Sequence, residues 1–77
     1  MRLDWIYTDG ELGEYWRARH GPWSFLIEVF RDEMPTRLCF TAWLKVGRRE
    51  FLHETEVETV GSAKKIAINL VRWEVKR

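Results

Sequence analysis

The chain has one cysteine, two prolines and almost no net charge. A lone thiol, Cys39, makes an internal disulfide impossible and cannot build a cysteine-based zinc site. That fits a reducing compartment. Thirteen Lys and Arg against twelve Asp and Glu leave a formal charge of +1. No overall field therefore draws the protein to nucleic acid or to an anionic membrane. Long apolar runs are missing too: the stretch from Ser24 to Val29 is far shorter than the ~20 residues that cross a bilayer and contains Glu28. The first residues, Met1 to Trp5, meet an acid before any apolar run develops, so no secretory leader is read there. The expectation is a soluble cytoplasmic protein without a membrane partner. Seventy-seven residues leave room for a single domain over 1–77. They exclude a two-domain nucleotide enzyme or a barrel enzyme, and the core of so short a chain is thin.

What the chain has in excess is rings. Five Trp, four Phe and two Tyr make up 14% of it, within a composition that is 45% hydrophobic and 32% charged. Turn residues divide the sequence at short intervals, the pattern of a β-meander. Leu3 to Thr8 reads as a first strand, followed by a turn at Asp9-Gly10 and Gly13. Glu14 to Arg19 alternates Trp16 and Ala18 against Tyr15, Arg17 and Arg19. His20-Gly21-Pro22 breaks the pattern. Trp23 to Arg31 is apolar on both faces and reads as a central strand. Asp32 to Pro35 is a loop, and Arg37 to Val46 alternates again. Gly47-Arg48-Arg49 turns the chain into Glu50 to Glu58, whose acidic side carries Glu54, Glu56 and Glu58 beside Leu52. A charged edge of this kind discourages unwanted strand pairing.

The period then changes. Thr59 is the expected N-cap, with Ser62 as the alternative. Val60, Ala63, Ala67, Leu70 and Val71 follow at helical spacing, with Ile66 and Trp73 widening the stripe. Lys65, Asn69, Arg72 and Lys76 fall on the far side, and Lys76 and Arg77 suit the negative end of the helix dipole. The expected fold is α+β: an antiparallel sheet of four or five strands with one C-terminal helix packed on one face.

One helix of about fifteen residues covers one face of a small sheet and leaves nothing for the other. With the helix on Phe25, Ile27, Phe40, Ala42 and Leu44, strand parity sends Tyr15, Leu26, Phe30 and Trp43 to the opposite face. There they lie among Arg17, Arg19, Glu28 and Thr41. Large apolar groups between charges mark interaction surfaces, and aromatics and Arg are the residues enriched at binding hot spots. Tyr15, Arg17, Arg19, Leu26, Phe30 and Trp43 are thus the expected partner-binding residues. Three explanations fit such a face: a sheet curled into a small second core, self-association as a homodimer, or a surface for a protein partner.

Other chemistry finds little support. His20 and His53 lack a Ser or Cys partner at a recognisable spacing, and Cys39 has no local nucleophile signature. Glu54 and Glu56 share a strand face, but a carboxylate pair needs a pocket to separate its pKa values. Alternation splits His53 from both of them, so no metal site and no cofactor are expected. Gly10, Gly13 and Gly21 are isolated turn glycines, not a phosphate cradle. The chain reads as non-enzymatic. One alternative is nucleic-acid binding, through Lys45, Arg48 and Arg49 on a hairpin and Lys64, Lys65 and Arg72 on the helix, and the other is a homo-oligomeric structural subunit. Glu50, Glu54, Glu56 and Glu58 follow that hairpin and repel phosphate.

Two resemblances bear on these readings. The opening Gly13-Glu14-Tyr15-Trp16-Arg17-Ala18, the succession of aromatic strands, and a Thr-capped helix with Ala63-Lys64-Lys65-Ile66-Ala67 resemble a class of small phage and prophage proteins. Some phage proteins of this size block host defences or host enzymes by binding them, so this resemblance implies an inhibitor. The segment from Gly61 to Ala67 is similar to the start of the last helix in double-stranded-RNA-binding domains. That resemblance implies phosphate contacts from Lys64 and Lys65.

Overall fold

A computed structural model describes residues 2–11 and 13–75. Five strands and one helix follow in the order β1 (Ile6–Asp9), β2 (Gly13–His20), β3 (Trp23–Phe30), β4 (Arg37–Val46), β5 (Arg49–Val57) and α1 (Val60–Val75). The strands form one antiparallel sheet in sequence order, β1-β2-β3-β4-β5, without a crossover. This is the expected α+β meander with a C-terminal helix.

Two two-residue loops set most of the register. His20 pairs with Trp23 around Gly21-Pro22, and Val46 pairs with Arg49 around Gly47-Arg48. Gly21 and Gly47 take φ of 57° and 62°, the positive value that the first position of such a tight hairpin demands and that only glycine adopts without strain. From these anchors the pairing runs down each strand: Phe25 meets Ala18 and Ala42, and Ile27 meets Trp16 and Phe40.

Those same residues form the core. Trp23, Phe25, Ile27, Phe40 and Ala42 are buried beneath Ala63, Ala67 and Val71 of the helix. Alanine at two of the three fully covered helix positions brings the helix axis close to the sheet. Phe25 stacks between Trp23 and Phe40, with ring centroids 5.5 and 6.0 Å away. The molecule measures 40 × 26 × 19 Å, and the smallest dimension is that of one sheet and one helix. The helix is capped as expected: the Thr59 hydroxyl accepts the Ser62 amide at 3.0 Å, satisfying one of the free first-turn donors.

Two readings need correction. The first strand begins at Ile6, not Leu3. Leu3 is buried in the core instead, and Trp5 packs against it. The apolar Leu3 and Trp5 record burial on one side, which a lead-in segment tucked against a helix satisfies as well as a paired strand does, whereas Tyr7 next in the alternation is exposed. Gly13 is not a turn residue but the first residue of β2. A Cβ there would lie 2.0 Å from the Val29 carbonyl oxygen, so close backbone approach is what requires glycine. Lys76 and Arg77, read from the sequence as complementing the helix dipole, lie outside the described residues.

Candidate protein-docking face

Directly paired residues in an antiparallel sheet point to the same side. The register therefore defines the face turned away from the helix. Across its middle runs the row Ile6, Arg17, Leu26, Thr41, Glu54. On one side of it lies Thr8, Tyr15, Glu28, Cys39, Glu56; on the other lies Arg19, Ser24, Trp43, Leu52. All six residues expected at a partner surface, Tyr15, Arg17, Arg19, Leu26, Phe30 and Trp43, share this face.

No element among the described residues covers it. Trp43 is 41% exposed and its cross-strand neighbour Leu52 is 56% exposed, while Tyr15, Leu26 and Phe30 are half-buried. Sheet curling has not closed a second core here: Thr41 is the one residue of the face with a buried side chain. The Arg37 guanidinium lies 5.0 Å from the centre of the Phe30 ring, a cation–π contact that keeps that ring partly shielded. Cys39 is half-buried beside it, and burial pushes its thiol pKa up, with Arg37 opposing in part.

Charge is distributed unevenly across the strands. On this face β2 carries Arg17 and Arg19, β3 carries Glu28, β4 carries Arg37 and Lys45, and β5 carries Glu50, Glu54 and Glu56. Lys45 pairs with Glu50 at 3.7 Å, and Arg37 reaches Glu56 at 3.9 Å and Glu33 at 3.2 Å. Arg17, Arg19 and Glu54 take part in no ion pair among the described residues. The β2 side of the face thus holds unpaired positive charge at Arg17 and Arg19, and the β5 edge holds unpaired negative charge at Glu54.

Leu52, Ile6 and Arg37 belong to this surface and went unremarked as contact residues in the sequence. Leu52 was recoverable, since the Gly47-Arg48 hairpin places it opposite Trp43. Ile6 was not, because the loop between β1 and β2 leaves that register open.

The basic residues expected to contact nucleic acid are not brought into one patch. Lys45 points to the open face and pairs with Glu50. Arg48 sits in the β4–β5 turn and Arg49 starts β5 on the helix side. Lys64 packs its ammonium over the Trp5 ring at 5.8 Å, beside the N-terminal segment. Lys65 and Arg72 face solvent seven residues apart, about 10 Å along the helix.

The helix side holds a second concavity. Trp23, Leu44, Phe51, Leu70 and Trp73 line an apolar cleft of about 410 Å³ at the hairpin end of the helix. Trp23 is 2% exposed, and its indole Nε1–H has no hydrogen-bond acceptor among the described residues. His53, on the same side of the sheet, stacks on Phe51 with ring centroids 6.3 Å apart. No group of three His, Cys, Asp or Glu among the described residues is placed to hold a metal ion. None of the described helices is long and apolar enough to cross a membrane. No family model matches the chain, and no curated protein or solved structure matches it.

Proposed function

We propose that this chain is a protein-binding module and that its contact surface is the sheet face opposite the helix. The observation that carries the reading is the apolar cluster of exposed Trp43 and Leu52 with half-buried Leu26 in the adjoining row, uncovered by any described element and flanked by unpaired charge at Arg17, Arg19 and Glu54. Burying these side chains against a partner removes apolar area from water at about 25 cal/mol per Å². Rim charges fix orientation more than they add affinity. The fitting partner is a protein surface that is apolar opposite Trp43 and Leu52, acidic opposite Arg17 and Arg19, and basic opposite Glu54. The inhibitor role implied by the resemblance to small phage proteins is compatible with this mode of action. Nucleic-acid binding is less favoured, because Lys45 and Lys64 are engaged and the remaining cations are dispersed.

The test is site-specific photo-crosslinking in the native cell. A photoreactive residue at Leu52 is expected to capture protein, and the same residue at Asn69, on the solvent side of the helix, is not. Capture from Asn69 alone, or from neither position, overturns the proposal.

A further inference from the structure

Two copies of an open sheet face can pack with strands aligned in two twofold arrangements, and the charges separate them. With the axis along the strands, between β3 and β4, β2 of each copy lies over β5 of the other and β3 lies over β4. With the axis across the strands, each strand lies over its own copy. The first arrangement keeps each row level, so it sets Arg17 of each copy over Glu54 of the other and Tyr15 over Glu56; Arg19 falls over Leu52, two residues along the strand from both Glu54 and Glu50, and Glu28 falls over Cys39, two residues from Arg37. The second sets like charge on like in all four strands. We infer that the partner of this face is a second copy of the same chain, docked sheet to sheet about a twofold axis parallel to β3 and β4. The inference rests on the docking face proposed above and names its occupant.

The size of the face agrees. The strands β2 to β5 are eight to ten residues long. Four strands about 4.8 Å apart and about 27 Å long present roughly 500 Å² in projection. Side-chain relief raises the accessible area of each face above that, so two faces reach the lower end of the ~1,200–2,000 Å² buried in specific interfaces. The axis leaves only the four-residue β1 outside the overlap. Leu26 of each copy then lies near the axis over the β4 row that holds Thr41, with Trp43 and Leu52 alongside. Trp43 lies over Ser24 and Leu52 over the apolar stem of Arg19, so the large apolar groups meet small or uncharged surface near the axis while the β2 and β5 sides exchange sign.

The test is sedimentation equilibrium from about 1 to 300 µM, a range suited to a contact of this size. Two variants reverse one rim each: Arg17→Glu with Arg19→Glu, and Glu54→Arg with Glu56→Arg. All four positions are exposed, and circular dichroism verifies that each variant remains folded. Each variant alone is expected to raise the dimer dissociation constant at least about tenfold, because a twofold axis applies every change twice. An equimolar mixture of the two variants is expected to restore association as a heterodimer, since each reversed rim then faces its complement. A monomer over the whole range overturns the inference, and so does a dimer that either reversal strengthens, that both leave intact, or that mixing does not restore. A persistent monomer whose Leu52 position still captures another protein overturns self-association and leaves the docking face standing. No capture from Leu52 overturns both.

Discussion

At the scale of single residues, two glycines illustrate different constraints. Gly13 has room for its backbone angles but none for a side chain, because the Val29 carbonyl stands where a Cβ would go. Gly47 has open space around it and a φ of 62° that other residues resist. Gly13→Ala must push the start of β2 away from β3, at a cost of about 1–3 kcal/mol. Gly47→Ala meets no clash but must hold a positive φ at the first position of a two-residue hairpin, where non-glycine residues are strained by about 1–3 kcal/mol. Urea denaturation is expected to show both variants destabilised. Tyr7 gives a pH-dependent prediction. Its hydroxyl donates to Glu14 Oε1 at 2.6 Å, and this hydrogen bond, with lesser help from desolvation and the nearby Asp9 charge, pushes its pKa up to about 12. The folded value exceeds the unfolded one of about 10, so the contribution to stability is complete below pH ~10 and fades as pH rises through 12. A phenolate absorbance titration of the folded protein is expected to show a late phase near pH 12 that Tyr7→Phe removes.

At the scale of elements, the helix rests on alanine. Ala63 and Ala67 are fully covered against the sheet, so a longer side chain there must lift the helix off Phe25 and Phe40. Ala67→Leu is expected to cost about 1–3 kcal/mol, measured by thermal unfolding. The helix stripe and its Thr59 cap were legible in the sequence, because helical spacing and N-cap chemistry are both local. The β4 boundaries at Arg37 and Val46 were equally legible, since strict alternation ends there at a proline-containing loop and at Gly47. So was the division of Tyr15, Leu26, Phe30 and Trp43 from the core, because side-chain parity along a strand is a geometric necessity. The N-terminal segment was not legible. Whether Leu3 and Trp5 pair or merely pack depends on where the helix lies, and the helix comes more than fifty residues later. The charge order across the open face was also hidden, because it depends on combining four strand registers at once.

At the scale of the whole molecule, the two layers make the protein unequal on its two sides. Cys39 reports on the open side without disturbing it. Burial within one copy already raises its pKa and slows its thiolate chemistry. In the proposed dimer the partner's β3 lies over β4 and covers it further. The rate of Cys39 modification by a disulfide reagent is therefore expected to fall as protein concentration rises. The rim-reversing variant Arg17→Glu with Arg19→Glu is expected to lose that concentration dependence.

The meander has a final consequence that belongs to biosynthesis. Each strand bonds only to its neighbours in the chain, so the sheet can be laid down hairpin by hairpin as it leaves the ribosome. The helix that shelters Trp23, Phe25 and Phe40 emerges after all five strands. Until then the nascent sheet exposes rings on both sides, and that interval is when a holding chaperone has most to protect.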